Sequence, residues 1–421
     1  MTTKSELLEL IANGENSGVE FKRDDIRPEH LAKEVVALAN LQGGKIILGV
    51  EDDGTITGIH REELQLWVMD TVFGHYVHPM IIPFYEEVQV DEDRRVAVIS
   101  LTQGTSKPYV VRHSGREEIY VRFGSVSRRA SRELQARLFA SGGMLRAEML
   151  PVSGSGLVHL CKERLTDYLI AVVRDPEPPG SDEAWEKRLC DLGFMVERAD
   201  SPPVCTVAGL LLFGYSPRKL FTQAGIRWMA FDDADKSYQA LDDRVIDGPL
   251  VALWRENNGD REFVENGLIE DFIEIARPFL SEEKGPRGET MRRERYWHYP
   301  LDALREAVVN ALAHRDWTRC EEVEISRYSN RLEIISPGAL HNSMTVGKMI
   351  AGQRSPRNSL VVEVLRDYGY VDARGMGVRN KIIPLVRKSS GSDPDFQATE
   401  DYLRLVIPKR QPGGTDQDAF I

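Results

Sequence analysis

Cysteine is scarce: Cys161, Cys190, Cys205 and Cys320 are the only four in 421 residues, with no CxxC pair and no histidine at ligand spacing. That scatter excludes a disulfide framework and a zinc site, and predicts reduced, buried thiols. Long apolar runs are missing too. No stretch approaches the ~18 uninterrupted apolar residues of a membrane span, and acids stand where a signal peptide needs its apolar core, so a cytoplasmic protein with no membrane partner is expected. There is no internal repeat and no low-complexity run. Nor is there a general excess of basic charge, and the net charge of −12 excludes a uniformly basic nucleic-acid coat. What remains, 42% apolar and 29% charged, is the composition of a folded globular chain long enough for several domains.

Along the chain, residues 1–145 read as a compact α+β unit. Leu7, Leu8 and Ile11 mark a short opening helix that Gly14 ends, and 18–22 reads as a strand. Pro28 opens a helix whose Leu31, Val35, Leu38 and Ala39 share one face, and Gly43-Gly44 stops it. Residues 45–50 form a β-branched strand, Asp52-Asp53-Gly54 a hairpin turn, and 55–59 its returning strand. Further strands fit 84–90, 94–101, 108–112 and 118–123, and Ser131 caps a closing helix. Pro151–Gly156 reads as a linker. A middle α/β region, 157–290, follows, with helices over 157–173 and 182–192 and strands at 207–213 and 226–231. A third unit, 291–410, holds a helix at 301–314 and strands at 321–328 and 331–336. The polar tail 411–421 is expected to fray.

Three acids stand out by placement: Glu15 before the first strand, Glu20 within it, and Asp52 at the end of the next. Alternation along a strand puts Glu20 and Lys22 on one side, exposed, with Val19 and Phe21 anchoring the other. Clustered carboxylates hold Mg²⁺ or Mn²⁺, which lowers the pKa of an attacking water, and a lysine offsets charge on a scissile phosphate. On spacing alone, a polar strand face and an Asp-Gly turn are the commoner meaning.

Charge reverses locally between Leu101 and Leu150, where nine Lys/Arg face four Asp/Glu. Arg112, Arg116, Arg122, Arg128, Arg129, Arg132 and Arg137 are interleaved with Tyr109, Tyr120 and Phe123. Guanidinium forks suit phosphate oxygens and aromatic faces suit unpaired bases, so this stretch is a candidate nucleic-acid surface. A solvated face balanced by Glu117, Glu118 and Glu133 reads about as well.

In the C-terminal helix Leu301, Leu304, Val308 and Leu312 form one stripe, and Glu306 and Asn310, four apart, lie together on another. Such a pair could turn a carboxylate toward a water and an amide oxygen toward Mg²⁺ beside a triphosphate. Taken alone, the spacing is that of any solvated helix face.

Longer motifs change the weighting. Glu15-Asn-Ser-Gly-Val-Glu20-Phe-Lys22, Ala39-Asn40, Gly43-Gly44 through Gly49-Val50-Glu-Asp52, and Glu118-Ile-Tyr-Val-Arg122-Phe-Gly124-Ser125 with Arg128-Arg129 resemble the Schlafen AlbA-like domain. That resemblance implies a metal-dependent endonuclease acting on tRNA or rRNA, with Glu15, Glu20 and Asp52 as the acids. Because Schlafen cores pair two lobes, it also implies a homodimer, and growth arrest or antiviral defence as the setting. Many bacterial members are instead labelled DNA-binding regulators, so a non-catalytic, ATP-binding transcriptional regulator is the alternative.

The helix motif Arg305-Glu306 through Asn310 to His314-Arg315-Asp316, with Ser336-Pro337-Gly338, Arg357-Asn358 and Gly375-Met-Gly377, resembles the ATP-binding domain of RecG-like regulators. That domain is a divergent Bergerat-type relative of the gyrase, histidine-kinase and MutL fold. The resemblance implies ATP as ligand, Asn310 on Mg²⁺, Glu306 orienting water, and Gly338, Gly375 and Gly377 letting the backbone approach the nucleotide. One departure is plain: Ser336-Pro337-Gly338 stands where the superfamily has an adenine-reading Asp-x-Gly. Serine is a weaker acceptor than a carboxylate, which counts against hydrolysis.

Overall fold

The computed structural model describes residues 2–410 except 105, 143, 176, 200, 258–259, 285–293, 342–343 and 372–375. The chain divides into two compact units, 1–145 and 146–421.

In the first unit Val19–Lys22, Gly43–Leu48, Arg95–Thr102 and Phe84–Gln89 lie side by side in that order, the first pair parallel and the others antiparallel. Helix Pro28–Asn40 makes the crossover between the parallel pair. Leu31, Val35 and Leu38 on its inner face pack with Ile46, Leu48 and Ile99, whereas Ile47, Phe21 and Val98 pack with Leu7 on the opposite face. That split follows from the period of two along a strand. Helix Lys4–Ala12 starts at a capping box of Thr3 and Glu6. A hairpin, Tyr120–Phe123 with Val126–Arg129, precedes helix Arg132–Ser141, where the Ser131 hydroxyl accepts from Leu134 N as expected. Asn40 closes its helix by donating to the carbonyls of Tyr109 and Tyr120, both at 2.9 Å, while accepting from Tyr109 N.

One expectation for this unit fails, and one stretch without an expected element gains one. Residues 55–59 form no strand, only a single bridge between Val50 and Ile56, because Gly49 O takes the N–H groups of both Thr57 and Gly58 and turns the chain away. Residues 60–76, left unassigned by pattern, contain a helical stretch, Leu64–Leu66 continuing as Trp67–Tyr76, that seats Val68 and Val72 in the core.

The second unit holds both the middle stretch and the C-terminal stretch on one six-stranded sheet. Its order is Asp242–Ile246, Ile226–Ala230, Val323–Arg327, Arg331–Pro337, Tyr402–Pro408, Asp395–Ala398. Ile226–Ala230 and Val323–Arg327 are parallel, and every other pair is antiparallel. One core joins Trp228, Phe272, Leu304, Val308, Leu312, Ile325 and Ile334. Val207–Phe213, expected as a strand, is a helix with every residue buried. A wholly buried run has no polar face to set its period, and the Thr206 hydroxyl accepting from Gly209 N starts the helix. Residues 157–173 break into a single turn, Leu157–His159, and helical segments Lys162–Asp167 and Tyr168–Val173. Of the cysteines, Cys161 and Cys205 are buried as expected but Cys320 is exposed.

Candidate functional site

The three N-terminal acids meet at one point. Lys22 Nζ stands 2.6 Å from Glu20 Oε1, 3.5 Å from Asp52 Oδ1 and 3.7 Å from Glu15 Oε1. Glu15 is held there by Phe21 N, which donates to its Oε1 at 2.9 Å, so the strand itself aims the side chain. Asp52 is the exposed member.

Glu20 is not exposed, contrary to the alternation argument; it is 3% accessible. Arg122 covers it. Arg122 Nη2 lies 2.5 Å from Glu20 Oε2, yet its N–H groups point at the carbonyls of Asn16 (2.8 Å) and Val19 (3.1 Å), leaving Oε2 buried without a directed donor. Arg122 Nη1 reaches Glu34 Oε2 at 3.3 Å, and the Ser127 hydroxyl donates to the same oxygen. A chain of charge thus runs from buried Glu34 through Arg122 and Glu20 to Lys22 at the surface. Burial pushes the Glu20 carboxyl above its ordinary value, against the pull of Lys22 and with the push of Glu34. For Lys22, burial lowers the ammonium, but Glu20, Glu15 and Asp52 outweigh it and the net shift is upward.

Hard oxygens of this kind are chemically suited to Mg²⁺ or Mn²⁺, but their arrangement is not. The acids surround an ammonium rather than a common open point, and among the described residues no group of three acids, histidines or cysteines is set to hold a metal ion. The cluster as it stands fits Lys22 and does not fit a divalent cation.

The arginines divide. Arg122 is buried and structural, so it cannot grip a phosphate backbone as the sequence suggested. Arg112, Arg116, Arg128, Arg129 and Arg132 are exposed, with Arg112 paired to Glu117 at 2.6 Å and Arg129 to Glu118. Of the aromatics, Tyr109 is buried and cannot stack on a base, Tyr120 is half-buried, and Phe123 is exposed at the hairpin tip.

In the second unit, helix Leu301–His314 turns Leu304, Val308 and Leu312 to the core. Glu306, Asn310 and His314, each four residues on, line a cavity of about 290 Å³ together with Ser336, Gly338, His341, Arg357 and Gly377. Asn310 Nδ2 donates to Glu306 O at 2.8 Å and to Glu306 Oε1 at 2.9 Å, and Lys381 Nζ stands 3.6 Å from Glu306 Oε2. With its amide hydrogens spent, Asn310 keeps its carbonyl oxygen, the atom a cation would take, so this pair does fit the Mg²⁺ of a bound nucleotide.

The glycines serve the site differently from one another. A Cβ on Gly377 would fall 1.7 Å from Glu306 Oε1, so its bareness admits the carboxylate. Gly338 has φ +109 and abuts Asp316, whose Cβ would be 2.5 Å from an added one. Gly375 lies outside the described residues. The Ser336 hydroxyl donates to Ala311 O at 2.9 Å.

Four contributors escaped the sequence reading. Glu34 had a signal, a carboxylate inside the stripe Leu31, Val35, Leu38. Arg357 was quoted in a motif but given no role. His341 and Lys381 carry no sequence signal. Arg357 Nη1 lies 3.1 Å from Asp316 Oδ2 and its Nη2 donates to Ala339 O at 2.6 Å. Burial drives both His314 and His341 down to about 4, helped by the charge of Arg357. His314 nonetheless keeps accessible surface, which lines the cavity.

Residues 15–131 match the family model of Schlafen, AlbA_2, and residues 321–407 that of the putative ATP-dependent DNA helicase recG C-terminal. Both resemblances drawn from the motifs are therefore shown. Among solved structures, the DIP2311 protein from Corynebacterium diphtheriae is 20% identical with a TM-score of 0.42, covering 97% of this chain and 80% of that one. The N-terminal domain of a putative ATP-dependent DNA helicase RecG-related protein from Nitrosomonas europaea is 21% identical with a TM-score of 0.25, over 31% of this chain and 95% of that one. No curated protein matches the chain.

Proposed function

We propose that this chain, which joins a Schlafen AlbA_2 domain to a recG C-terminal-type domain, is a nucleic-acid-binding protein that takes a nucleoside triphosphate in its C-terminal cavity. The observation that carries the reading is the row Glu306, Asn310, His314 along one wall of that cavity. It supplies a water-orienting acid, a free amide oxygen for Mg²⁺ and a polar group further along for the rest of a nucleotide. The exposed arginines beside the hairpin Tyr120–Arg129 supply the nucleic-acid surface, with RNA ahead of DNA as ligand and a homodimer as the working form. Filter binding of labelled tRNA, single-stranded DNA and duplex DNA, with and without Mg²⁺ and nucleotide, tests it. Retention of one class, altered by nucleotide and lost on replacing Arg128 and Arg132 by alanine, is expected; no retention of any class refutes it.

Endonucleolytic cleavage is the second reading: Glu15, Glu20 and Asp52 converge on Lys22, and cleavage requires a divalent cation to displace that ammonium from between the acids. The same substrates incubated with Mn²⁺ or EDTA decide it. Cleavage by the parent but not by Glu20→Ala or Asp52→Ala establishes an enzyme. Intact substrate that is still bound leaves a regulator.

A further inference from the structure

The hairpin Tyr120–Phe123 with Val126–Arg129 has two faces of opposite character. Its register pairs Arg122 with Ser127 and, one step nearer the tip, Phe123 with Val126. Arg122 and Ser127 turn inward, where the guanidinium meets Glu20 and Glu34 and the hydroxyl donates to Glu34. With a side-chain period of two, Phe123 and Val126 face the other way, on the side that carries Val121 and Arg128.

Helix Arg132–Ser141 covers only the base of that outer face. Val121 is buried against Leu134 and Leu138, whereas Phe123 is 53% exposed and Val126 49%. The turn between them is two residues, Gly124-Ser125 with Gly124 at φ +59, so the loop has nothing to spare for covering the pair. Directly opposed side chains on a hairpin stand about 5 Å apart, so Phe123 and Val126 make one small apolar platform at the tip. Arg128 follows two residues behind Val126 on the same face, about 7 Å along the strand. Arg132 opens the covering helix. Both arginines are exposed, and neither has a carboxylate partner among the described residues.

Two apolar side chains are too few for a protein interface, and a patch bordered by uncompensated guanidinium groups favours an anion. A polyanion that carries flat apolar rings matches both halves at once. The ring of an unpaired base can lie on Phe123 and Val126 while its own phosphate reaches Arg128, one extended nucleotide away. Paired bases cannot do this. A duplex turns its ring faces into its own stack and offers the platform only sugar, phosphate and groove edges.

We infer that the hairpin tip is a stacking site for an unpaired base, with Phe123 as the residue that makes this protein prefer single strands and loops over duplex. This rests on the nucleic-acid-binding reading of the same surface and names the form of nucleic acid that the surface takes.

Fluorescence anisotropy of the full chain with a labelled mixed-sequence RNA, free and annealed to its complement, tests it, with a DNA pair of the same sequence beside it. The single strand is expected to bind more tightly than the duplex, despite the duplex's denser phosphate charge. Phe123→Ala should weaken the single strand about tenfold, the worth of one base–aromatic stack, while duplex affinity holds. Phe123→Trp should keep the preference, and Phe123→Leu, apolar but without a π-face, should behave as alanine does. The ring is half exposed, so melting temperature should hold in all three variants. Should any of them unfold, the comparison of single strand with duplex on the parent still decides. Duplex bound as tightly as the single strand, or a loss in Phe123→Ala that is absent or shared equally by both forms, overturns the stacking site and leaves the arginine surface standing. If no oligonucleotide binds, the nucleic-acid reading itself falls, and this inference with it.

Discussion

Arg122 shows how a residue read as a ligand-gripping arginine can serve the fold instead. It separates two buried carboxylates, Glu20 and Glu34, and holds two backbone carbonyls. Arg122→Ala leaves those acids facing each other across a desolvated gap. Removing one partner of a buried ion pair costs about 3–5 kcal/mol, so a loss of that size is expected in urea unfolding followed by circular dichroism. Lys22→Met should cost far less, since the ammonium is part-exposed and its loss leaves Arg122 beside Glu20. The cavity histidines set a pH response. Unfolded histidine titrates near 6.5, while in the fold His314 and His341 do so only at about 4. Between those values the unfolded chain takes up protons that the folded chain refuses, so stability falls as pH drops through that window. His341 is surrounded by Arg357, His314 and Asp316, of which only Asp316 favours protonation. Melting temperature should decline from pH 7 to 5, and His341→Asn should flatten the decline.

At the scale of elements, local chemistry wrote some boundaries plainly. Pro28 at the helix start, Ser131 as a cap and the apolar stripe of 301–314 each appear in the structure where pattern put them. Val207–Phe213 did not, because seven buried residues offer no periodicity and only the Thr206 cap tells helix from strand. That helix packs so closely that a Cβ on Gly209 would lie 2.1 Å from Phe194 O. Gly209→Ala should therefore destabilise the second unit by about 1–3 kcal/mol, as overpacking does, although alanine is the better helix former. Thermal unfolding by calorimetry checks the sign. The candidate sites were legible to the same degree as the elements carrying them. Glu15, Glu20 and Asp52 were found by motif, but the burial of Glu20 depends on Arg122 arriving from a hairpin about a hundred residues away in sequence. Likewise Glu306 and Asn310 are visible as a helix spacing, whereas His341 and Arg357 reach the cavity from segments with no period of their own.

For the whole molecule, a net charge of −12 opposes any polyanion, so nucleic-acid binding must come from a local field. Arg116, Arg128 and Arg132 are exposed on the first unit, and Arg112 and Arg129 share their charge with Glu117 and Glu118. Each phosphate neutralised by such a group releases counterions, and the slope of log K against log salt counts those contacts. Replacing both Arg128 and Arg132 by alanine should weaken binding across sequences and reduce that slope by about two. Arg122→Ala, measured below its unfolding midpoint, should leave the slope unchanged, because a guanidinium enclosed by Glu20 and Glu34 meets no phosphate. Fluorescence anisotropy of a labelled RNA from 50 to 200 mM salt separates the two. A slope that falls equally in both variants would return Arg122 to the binding surface, and with it the exposed placement of Glu20 that the strand alternation had suggested.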